Sequence, residues 1–425
     1  MKVALLAYGT RGDVQPLVAV GLSLRARGHD VVVGAPTNHL GFIERAGLRA
    51  GPIAGDSDEL LDSDEGRAVL SRGDFFTFMK MARAGFRRHA AQADRDVEAL
   101  CDGVDGIVAG ALIAGPARLQ SERRGVPWVL AQLCPMSPSA HVPFGVLDVP
   151  RGLPGFAHRA IGQLTLWGIW QSLRAVDDDV RDRRGMPRAA ALPGYDRFLA
   201  GLPTLHLYSE ALVPHPPDWP RDDVIAGFCA LPKPARAGLG ETDALGDLRG
   251  FLDDGPPPLF FGLGSMPLLQ PEAAFRLFLD VAARLGQRVI IGGTFRDRER
   301  LQALLPATAR LCGAVDHDVL FPRCRAVLHH GGAGTTAASL RAGRPTMICP
   351  VLGDQHFWGR LLVERGLGAM TPFRALDAAA LTRGLGTLLR PDVAARADAM
   401  GKRLRDEGDG APRAAAALER LFARP

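Results

Sequence analysis

The sequence predicts an α/β protein made of two doubly wound, parallel-sheet domains. Three observations carry that expectation. The chain has 425 residues, more than one compact core commonly holds. Its apolar residues gather into short continuous runs, as in strands buried on both faces of a parallel sheet. Those runs alternate with stretches of helical spacing, once before and once after a Pro- and Gly-rich segment at 214–240.

The elements follow in order. Residues 3–8 form an apolar run ending in Gly9. Apolar positions 17, 18, 20, 22 and 24 then space a helix over 17–27, which Gly28 closes. A second strand at 31–35 completes a βαβ unit, and strands at 106–110 and 128–131 continue it. The segment at 214–240 (PHPPDWP, then LPKPARAGLG) reads as an interdomain linker. Beyond it, strands at 259–262, 289–292, 309–312, 326–329 and 346–349 alternate with helical segments, one of them near 271–285. Residues 412–422 read as a helix that packs back on the first domain.

Composition narrows the function classes. Hydrophobic residues make up 47% and charged residues 23%, the balance of a soluble globular protein. The net charge is +5, and only four of the 51 basic residues are lysines. Arginines and acids alternate with no basic block interleaved with aromatics, which argues against nucleic acid as a partner. The six cysteines (Cys101, Cys134, Cys229, Cys312, Cys324 and Cys349) are far apart, with no CxxC pair. They read as small buried hydrophobes in a reducing compartment. The opening MKVALLAYGTRGD is apolar only briefly before Arg11 and Asp13, as a strand would be. No run of 18 apolar residues occurs, so a cytoplasmic protein without a membrane span is expected.

One segment carries most of the chemistry: HHGGAGTTAASLRAGRPTMICPVLGDQ, His329 to Gln355. A strand runs into two histidines, then Gly331, Gly332 and Gly334, and a helix opens at Thr335. Glycines let backbone approach a ligand closely, and free N–H groups at a helix start favour a diphosphate. The hydroxyls of Thr335 and Thr336 add donors. A tight strand-to-helix turn with buried histidines would look similar, so the turn alone decides nothing.

The whole block resembles the donor-binding motif of GT-B glycosyltransferases, especially those acting on glycopeptide antibiotics, macrolides and sterols. The resemblance extends to Gly264-Ser265, to Val315-Asp316-His317-Asp318, to Gly353-Asp354-Gln355, and to GTRGDVQP near the N-terminus. It implies two Rossmann-like domains facing a cleft, with the reaction in that cleft. Residues 1–213 would bind the acceptor and 241–405 the nucleotide sugar, with 406–425 the returning helix. Ser265, His330 and the backbone of Gly331, Gly332, Gly334 and Thr335 would hold the diphosphate. Val315 would border the nucleobase. Asp354 and Gln355 would hydrogen-bond the donor sugar; the alternative for Asp354 is a helix N-cap. Asp316 and His356 stand where the family usually has proline. Ala338 replaces the ribose-binding glutamate of plant relatives, leaving UDP- and dTDP-hexoses both open as co-substrates.

By the same resemblance Asp13 takes the place of a catalytic histidine. In GTRGDVQP, Gly9 ends the first strand and the next five residues read as a loop at its C-terminal edge, where open α/β sheets bind ligands. An inverting transfer needs a group to take the acceptor's proton, and Asp13 is the candidate, with Thr10 as helper. Histidine-based relatives keep an aspartate after the strand near residue 110; here that place is Gly110. The competing reading makes Asp13 a helix cap or the partner of Arg11.

The pairs Asp56/Asp58, Asp62/Asp64, Asp177–Asp179 and Asp316/Asp318 have DxD spacing. In a chain rich in arginine and aspartate this arises readily, so no metal is expected. Two lipophilic groups remain: Phe75, Phe76, Phe78, Met79, Met81 and Phe86, and the uncharged run 160–173 with Leu164, Leu166, Trp167, Ile169 and Trp170. They read either as core or as a pocket for a small lipophilic acceptor; Phe75, Phe76, Met79, Trp167 and Trp170 are the acceptor-binding candidates. Peripheral contact with a membrane surface stays open. A nucleotide-sugar epimerase of the same fold and a non-catalytic auxiliary partner of another transferase are the competing functions.

Overall fold

The computed structural model describes residues 1–56, 59, 63–150, 152–192, 195, 203–239, 245–246, 248–262, 271–293, 300–301, 303, 305–313 and 315–423. The chain divides into two compact units. The first holds Met1–Leu60, Phe76–Leu239 and Gly408–Pro425; the second holds Leu61–Phe75 and Gly240–Glu407.

In the first unit the strands are β1 (Lys2–Leu6), β2 (Asp30–Pro36), β3 (Arg49–Ile53), β4 (Gly106–Gly110), β5 (Trp128–Gln132), β6 (Leu205–His206) and β7 (Val224–Ile225). They form a seven-stranded sheet in the order β3-β2-β1-β4-β5-β6-β7. Each pairing is parallel. Side chains alternate across it: Val3 and Leu5 join one core cluster, Ala4 and Leu6 the other. Both faces are therefore apolar, which is why these strands read as continuous hydrophobic runs. Helices α1 (Arg11–Ala26), α2 (Leu40–Arg45), α4 (Phe75–Leu100), α5 (Ala114–Arg124) and α6 (Gly155–Arg183) connect the strands.

Three features differ from the linear reading. Helix α1 begins at Arg11, directly after its N-cap Thr10, so residues 10–14 are the helix start and not a loop. A capping box holds that start; Pro16 lies beyond the first turn, where it lacks the N–H that would bond to the Gly12 carbonyl. The segment expected as linker belongs to the first unit: β7 pairs with β6, and a further helix, α7 (Lys233–Gly238), follows. Proline blocks ladder donation, but an edge strand two residues long needs little of it. Third, helix α3 (Asp64–Arg72), early in the chain, is part of the second unit.

The second unit carries β8 (Leu259–Gly262), β9 (Val289–Gly292), β10 (Ala309–Cys312), β11 (Ala326–His329), β12 (Thr346–Ile348) and β13 (Gly368–Met370). Its sheet runs β10-β9-β8-β11-β12-β13, again all parallel. Its helices are α8 (Leu248–Asp253), α9 (Pro271–Arg284), α10 (His317–Leu320), α11 (Ala333–Arg341), α12 (Gln355–Glu364), α13 (Ala378–Leu388) and α14 (Pro391–Glu407). The last helix, α15 (Gly410–Phe422), returns to the first unit. Its Ala411, Ala414, Ala415 and Leu418 share a core with Leu17, Val18 and Leu24 of α1. Glu419 receives Arg27 and His29 at 2.6 and 2.7 Å. The Phe422 ring fills the place beside Gly106 where a β-carbon would sit 2.7 Å from it.

The six cysteines are free, five of them buried. Among the described residues no helix is long and apolar enough to cross a membrane. Among them, too, no three His, Cys, Asp or Glu side chains are grouped to hold a metal ion.

Candidate active site

Two turns at the C-terminal edges of central strands hold the candidate residues, one in each unit.

In the second unit β11 ends at His329, and α11 starts after its N-cap, Gly332. Between them Gly331 adopts φ +100°. A β-carbon there would come within 2.6 Å of Ile348 Cγ2 and 3.1 Å of Gln355 Cβ, so conformation and space both require glycine. The Gly331 N–H donates to His329 Nδ1 at 2.9 Å, which leaves the proton of that neutral ring on Nε2. Helix α11 has no side-chain cap, so the amides of its first turn face outward without a side-chain acceptor. Gly334 is exposed, and nothing lies within 4 Å of where its β-carbon would be. This is an open, positively poled helix start.

His330 follows directly. Its ring lies over Gly332, with Nε2 2.6 Å from the position of a β-carbon there, and Nδ1 is buried with no hydrogen-bond partner. Burial first, then the neighbouring His317, push its pKa down to about 4. The free protein therefore carries this imidazole neutral, with a donor or acceptor at Nδ1 still unspent. His317 stacks on Phe321 (centroids 4.3 Å apart) and meets the edge of Phe260. Asp316 caps α10 through the Asp318 N–H at 2.9 Å. Val315 is half-buried against the same cluster. Of the two threonines, Thr336 is buried and donates back to Gly332 O at 3.0 Å; only the Thr335 hydroxyl is left for a ligand. Gly264 and Ser265 lie outside the described residues.

The loop before α12 holds the two donor-sugar candidates in different ways. Asp354 occupies the N-cap position but makes no cap bond; its carboxylate accepts from the Trp358 indole at 3.1 Å. Gln355 is buried, and its Oε1 accepts from the amides of Val351 and Leu352 at 2.7 and 3.2 Å. Its carbonyl oxygen thus holds the loop, so the half-buried Asp354 is the better presented of the two for a sugar hydroxyl.

In the first unit, β1 delivers Gly9 at φ +129°. A β-carbon on Gly9 would collide with Asp13 Oδ2, so glycine makes room for that carboxylate. Asp13 Oδ2 accepts the Thr10 N–H at 2.8 Å and the Thr10 hydroxyl at 3.2 Å. Thr10 Oγ1 in turn accepts from the Gly12 N–H. Arg11 turns to Gln15 at 3.0 Å and over the Phe42 ring. Asp13 is thus no N-cap of a helix near residue 17: Thr10 is the N-cap, and Asp13 closes the capping box from N3, both bonds falling on Oδ2. Burial outweighs these hydrogen bonds and raises the Asp13 pKa from 3.8 to about 6. His39, which no sequence signal marked, is buried with Nε2 3.2 Å from Gly9 O and supports the turn from below. At the end of β4, Gly110 supplies no side chain, and the side chain that bonds the Asp13 carboxylate is that of Thr10.

The acceptor candidates separate on α6. Gly162, Leu166 and Trp170, four residues apart, form the buried ridge; a β-carbon on Gly162 would lie 3.2 Å from Pro138 and 3.3 Å from Phe144. Trp170 is 6% exposed and belongs to the core. Trp167 and Leu164, on the other side, are 62% and 67% exposed and form an unusual apolar stripe with Phe156. Phe75, Phe76 and Met79 fall on α4, but their side chains lie outside the described residues. Phe86 of that helix packs 5.0 Å from the Tyr8 ring, just before Gly9. Of the acidic pairs, Asp177 and Asp318 are engaged by Arg181 and Arg341, while Asp58 and Asp62 lie outside the described residues.

Comparison with known proteins agrees at both ends of the chain. Residues 3–132 match the glycosyltransferase family 28 N-terminal domain, and residues 276–423 the erythromycin biosynthesis protein CIII-like C-terminal domain. A sterol 3-beta-glucosyltransferase of Arabidopsis thaliana is 32% identical over 99% of this chain and 68% of its own length. The O-mycaminosyltylonolide 6-deoxyallosyltransferase of Streptomyces fradiae is 31% identical over 95% of this chain and 93% of its own. Among solved structures, the glycosyltransferase of kitacinnamycin covers 99% of this chain and 98% of its own, with TM-score 0.69 at 19% identity. The glycosyltransferase VinC, solved in complex with dTDP, covers all of both chains with TM-score 0.66 at 19% identity. At such identities the structures speak for the fold.

Proposed function

The chain belongs to the GT-B glycosyltransferases, and from that premise we propose that it transfers a hexose, with inversion, from UDP or dTDP to a hydroxyl of a small lipophilic acceptor. The second unit binds the nucleotide sugar and the first the acceptor. The observation that carries this reading is the uncapped start of α11 beside a neutral His330 with an unspent ring nitrogen. A diphosphate there would accept first-turn amides, the Thr335 hydroxyl and His330, and would favour protonation of that imidazole. Ser265 would join them, Val315 would border the base, and Asp354 would hold the sugar.

Asp13 takes the acceptor's proton. As the hydroxyl oxygen bonds to the anomeric carbon from one face, the bond to the diphosphate oxygen breaks on the other, and the proton passes to Asp13. The leaving diphosphate keeps the bonding electrons, and its charge meets the helix pole and His330 without need of a cation. A base with pKa about 6 is ionised at neutral pH yet stronger than an ordinary carboxylate. The lipophilic acceptor is suggested by the exposed Leu164 and Trp167, since apolar walls favour burial of rings and alkyl chains. The two named relatives, one for sterols and one for a tylonolide, act on scaffolds of that kind.

A donor panel tests the reading: UDP- and dTDP-hexoses with sterol, macrolide and phenolic acceptors, each with and without excess EDTA. Transfer with one donor class, of inverted configuration and indifferent to EDTA, is expected. Turnover of the nucleotide sugar alone into its epimer would replace the reading with the epimerase. Loss of rate in EDTA, restored by magnesium or manganese, would refute metal independence.

A further inference from the structure

The second unit contains a helix that the chain supplies from its N-terminal half, and its end lies against the loop leading to Asp354. Helix α3 starts at N-cap Ser63, whose Oγ accepts from Gly66 N–H at 2.9 Å. It buries Val69 and Leu70. It ends at Gly73, at φ +64°, with Gly73 N–H donating to Leu70 O and Asp74 N–H to Val69 O. This paired closure requires a left-handed residue at the corner. A β-carbon on Gly73 would lie 3.2 Å from Val351 O, so the corner touches the loop backbone.

Val351 is one of the two residues whose amides Gln355 Oε1 holds. Gln355 Cβ in turn packs beside Gly331. A second tie runs through the 3-10 turn Phe373–Ala375. Arg374 Nη1 donates to Arg72 O at 3.3 Å, and Phe373 N–H donates to Pro350 O at 3.0 Å. The 350–355 loop is thus braced from one side by Gln355 and from the other by the α3 corner and the turn it bonds.

We propose that α3 and its Gly73 corner position the donor-sugar loop, with Gly73 and Arg374 as positioning residues for nucleotide-sugar binding. The inference rests on the reading that Asp354 contacts the sugar. It extends that reading by making sugar affinity depend on a segment outside the contiguous 240–407 stretch. Because the α3 corner and the Arg374 turn meet the loop at Val351 and Pro350, and reach the Gly331 turn through Gln355, the effect on the sugar exceeds that on the nucleoside diphosphate.

The test uses the full chain, with UDP and dTDP and whichever of their hexose conjugates supports turnover. Gly73→Val places a β-branched residue at a left-handed φ and crowds Val351 O. It is expected to raise the nucleotide-sugar KM about tenfold, with kcat within about threefold and a smaller rise in the diphosphate's Kd. Arg374→Ala, which alters an exposed side chain, should raise the same KM about threefold with the melting temperature kept. Should Gly73→Val fail to fold, Arg374→Ala decides alone. An unchanged sugar KM in the variants that fold overturns the inference, as does equal weakening of the diphosphate and its sugar conjugate. Asp354→Asn separates the two claims. If it raises sugar KM while the α3 variants do not, only the brace fails; if it leaves sugar KM unchanged, the sugar-loop reading has failed and the inference with it.

Discussion

Replacing Asp13 by asparagine should remove activity and add stability at once. The side chain keeps its shape, and its amide oxygen can still accept the Thr10 N–H, so the start of α1 stays capped. Burial holds the Asp13 pKa near 6 against an ordinary 3.8. Each unit corresponds to about 1.4 kcal/mol, so the shift implies about 3 kcal/mol against the ionised form at neutral pH. Asp13 is half-buried, and solvent screening trims that figure to roughly 1–3 kcal/mol. The sign follows from linkage. A carboxyl with raised folded pKa gives its full stability below the unfolded value, and that contribution is lost as pH rises through about 4 to 6. Wild type and Asp13→Asn should therefore melt alike near pH 4 and diverge above pH 6, the variant higher by several degrees. Transfer should move the other way. The wild-type rate should climb through pH 6 to a plateau as the carboxylate ionises, and the variant should lose about a hundredfold or more. Initial rates from pH 5 to 8 and thermal unfolding at pH 4.5 and 7.5 read both arms. A variant with nearly full transfer would remove Asp13 as the base. Equal melting at pH 7.5 would show that its charge is not penalised by burial.

Other consequences concern the donor turn and α6. His330→Ala should weaken UDP or dTDP binding roughly tenfold or more, the worth of a charge-assisted hydrogen bond; unchanged affinity by calorimetry would make this histidine structural. Trp170→Ala should cost about 3–5 kcal/mol of stability, as a large buried aromatic does. Trp167→Ala should leave stability within about 0.5 kcal/mol and raise the acceptor KM. If Trp167→Ala leaves that KM unchanged, the exposed stripe does not meet the acceptor.

The motifs could be read from the sequence because each is governed by neighbours along the chain. The glycine turn after β11 needs Gly331 at a positive φ, and the alternation of Val3, Ala4, Leu5 and Leu6 between two faces needs only a period of two. The strands β1, β2, β4, β5 and β8–β12 followed from the same local rules, whereas β3, β6, β7 and β13 were not read. What eluded the linear reading depends on partners remote in sequence. Asp13 closes a capping box and is also a carboxyl raised by burial, because α1 begins at Arg11, just after its N-cap Thr10, and the turn folds over Oδ2. His39 reached the same turn with no motif to announce it. Gln355 reads as a sugar ligand from its place in the motif, and only the fold shows that its Oε1 also holds the amides of Val351 and Leu352. Trp167 and Trp170 share an apolar run, and only the ridge through Gly162 and Leu166, laid against Pro138 and Phe144, decided which is core. The Pro-rich stretch at 214–240 resembled a linker because prolines discourage ladders, but β6 was there to accept Val224 and Ile225 at the sheet edge. By itself, then, the sequence determined two doubly wound sheets, a glycine turn opening a helix and a base candidate, set by φ preferences and apolar periodicity. Tertiary structure alone decided which polar groups are spent on the fold and which are left for a ligand. It also drew α3 into the second unit and α15 into the first, since burial and hydrogen-bond satisfaction are properties of neighbours in space.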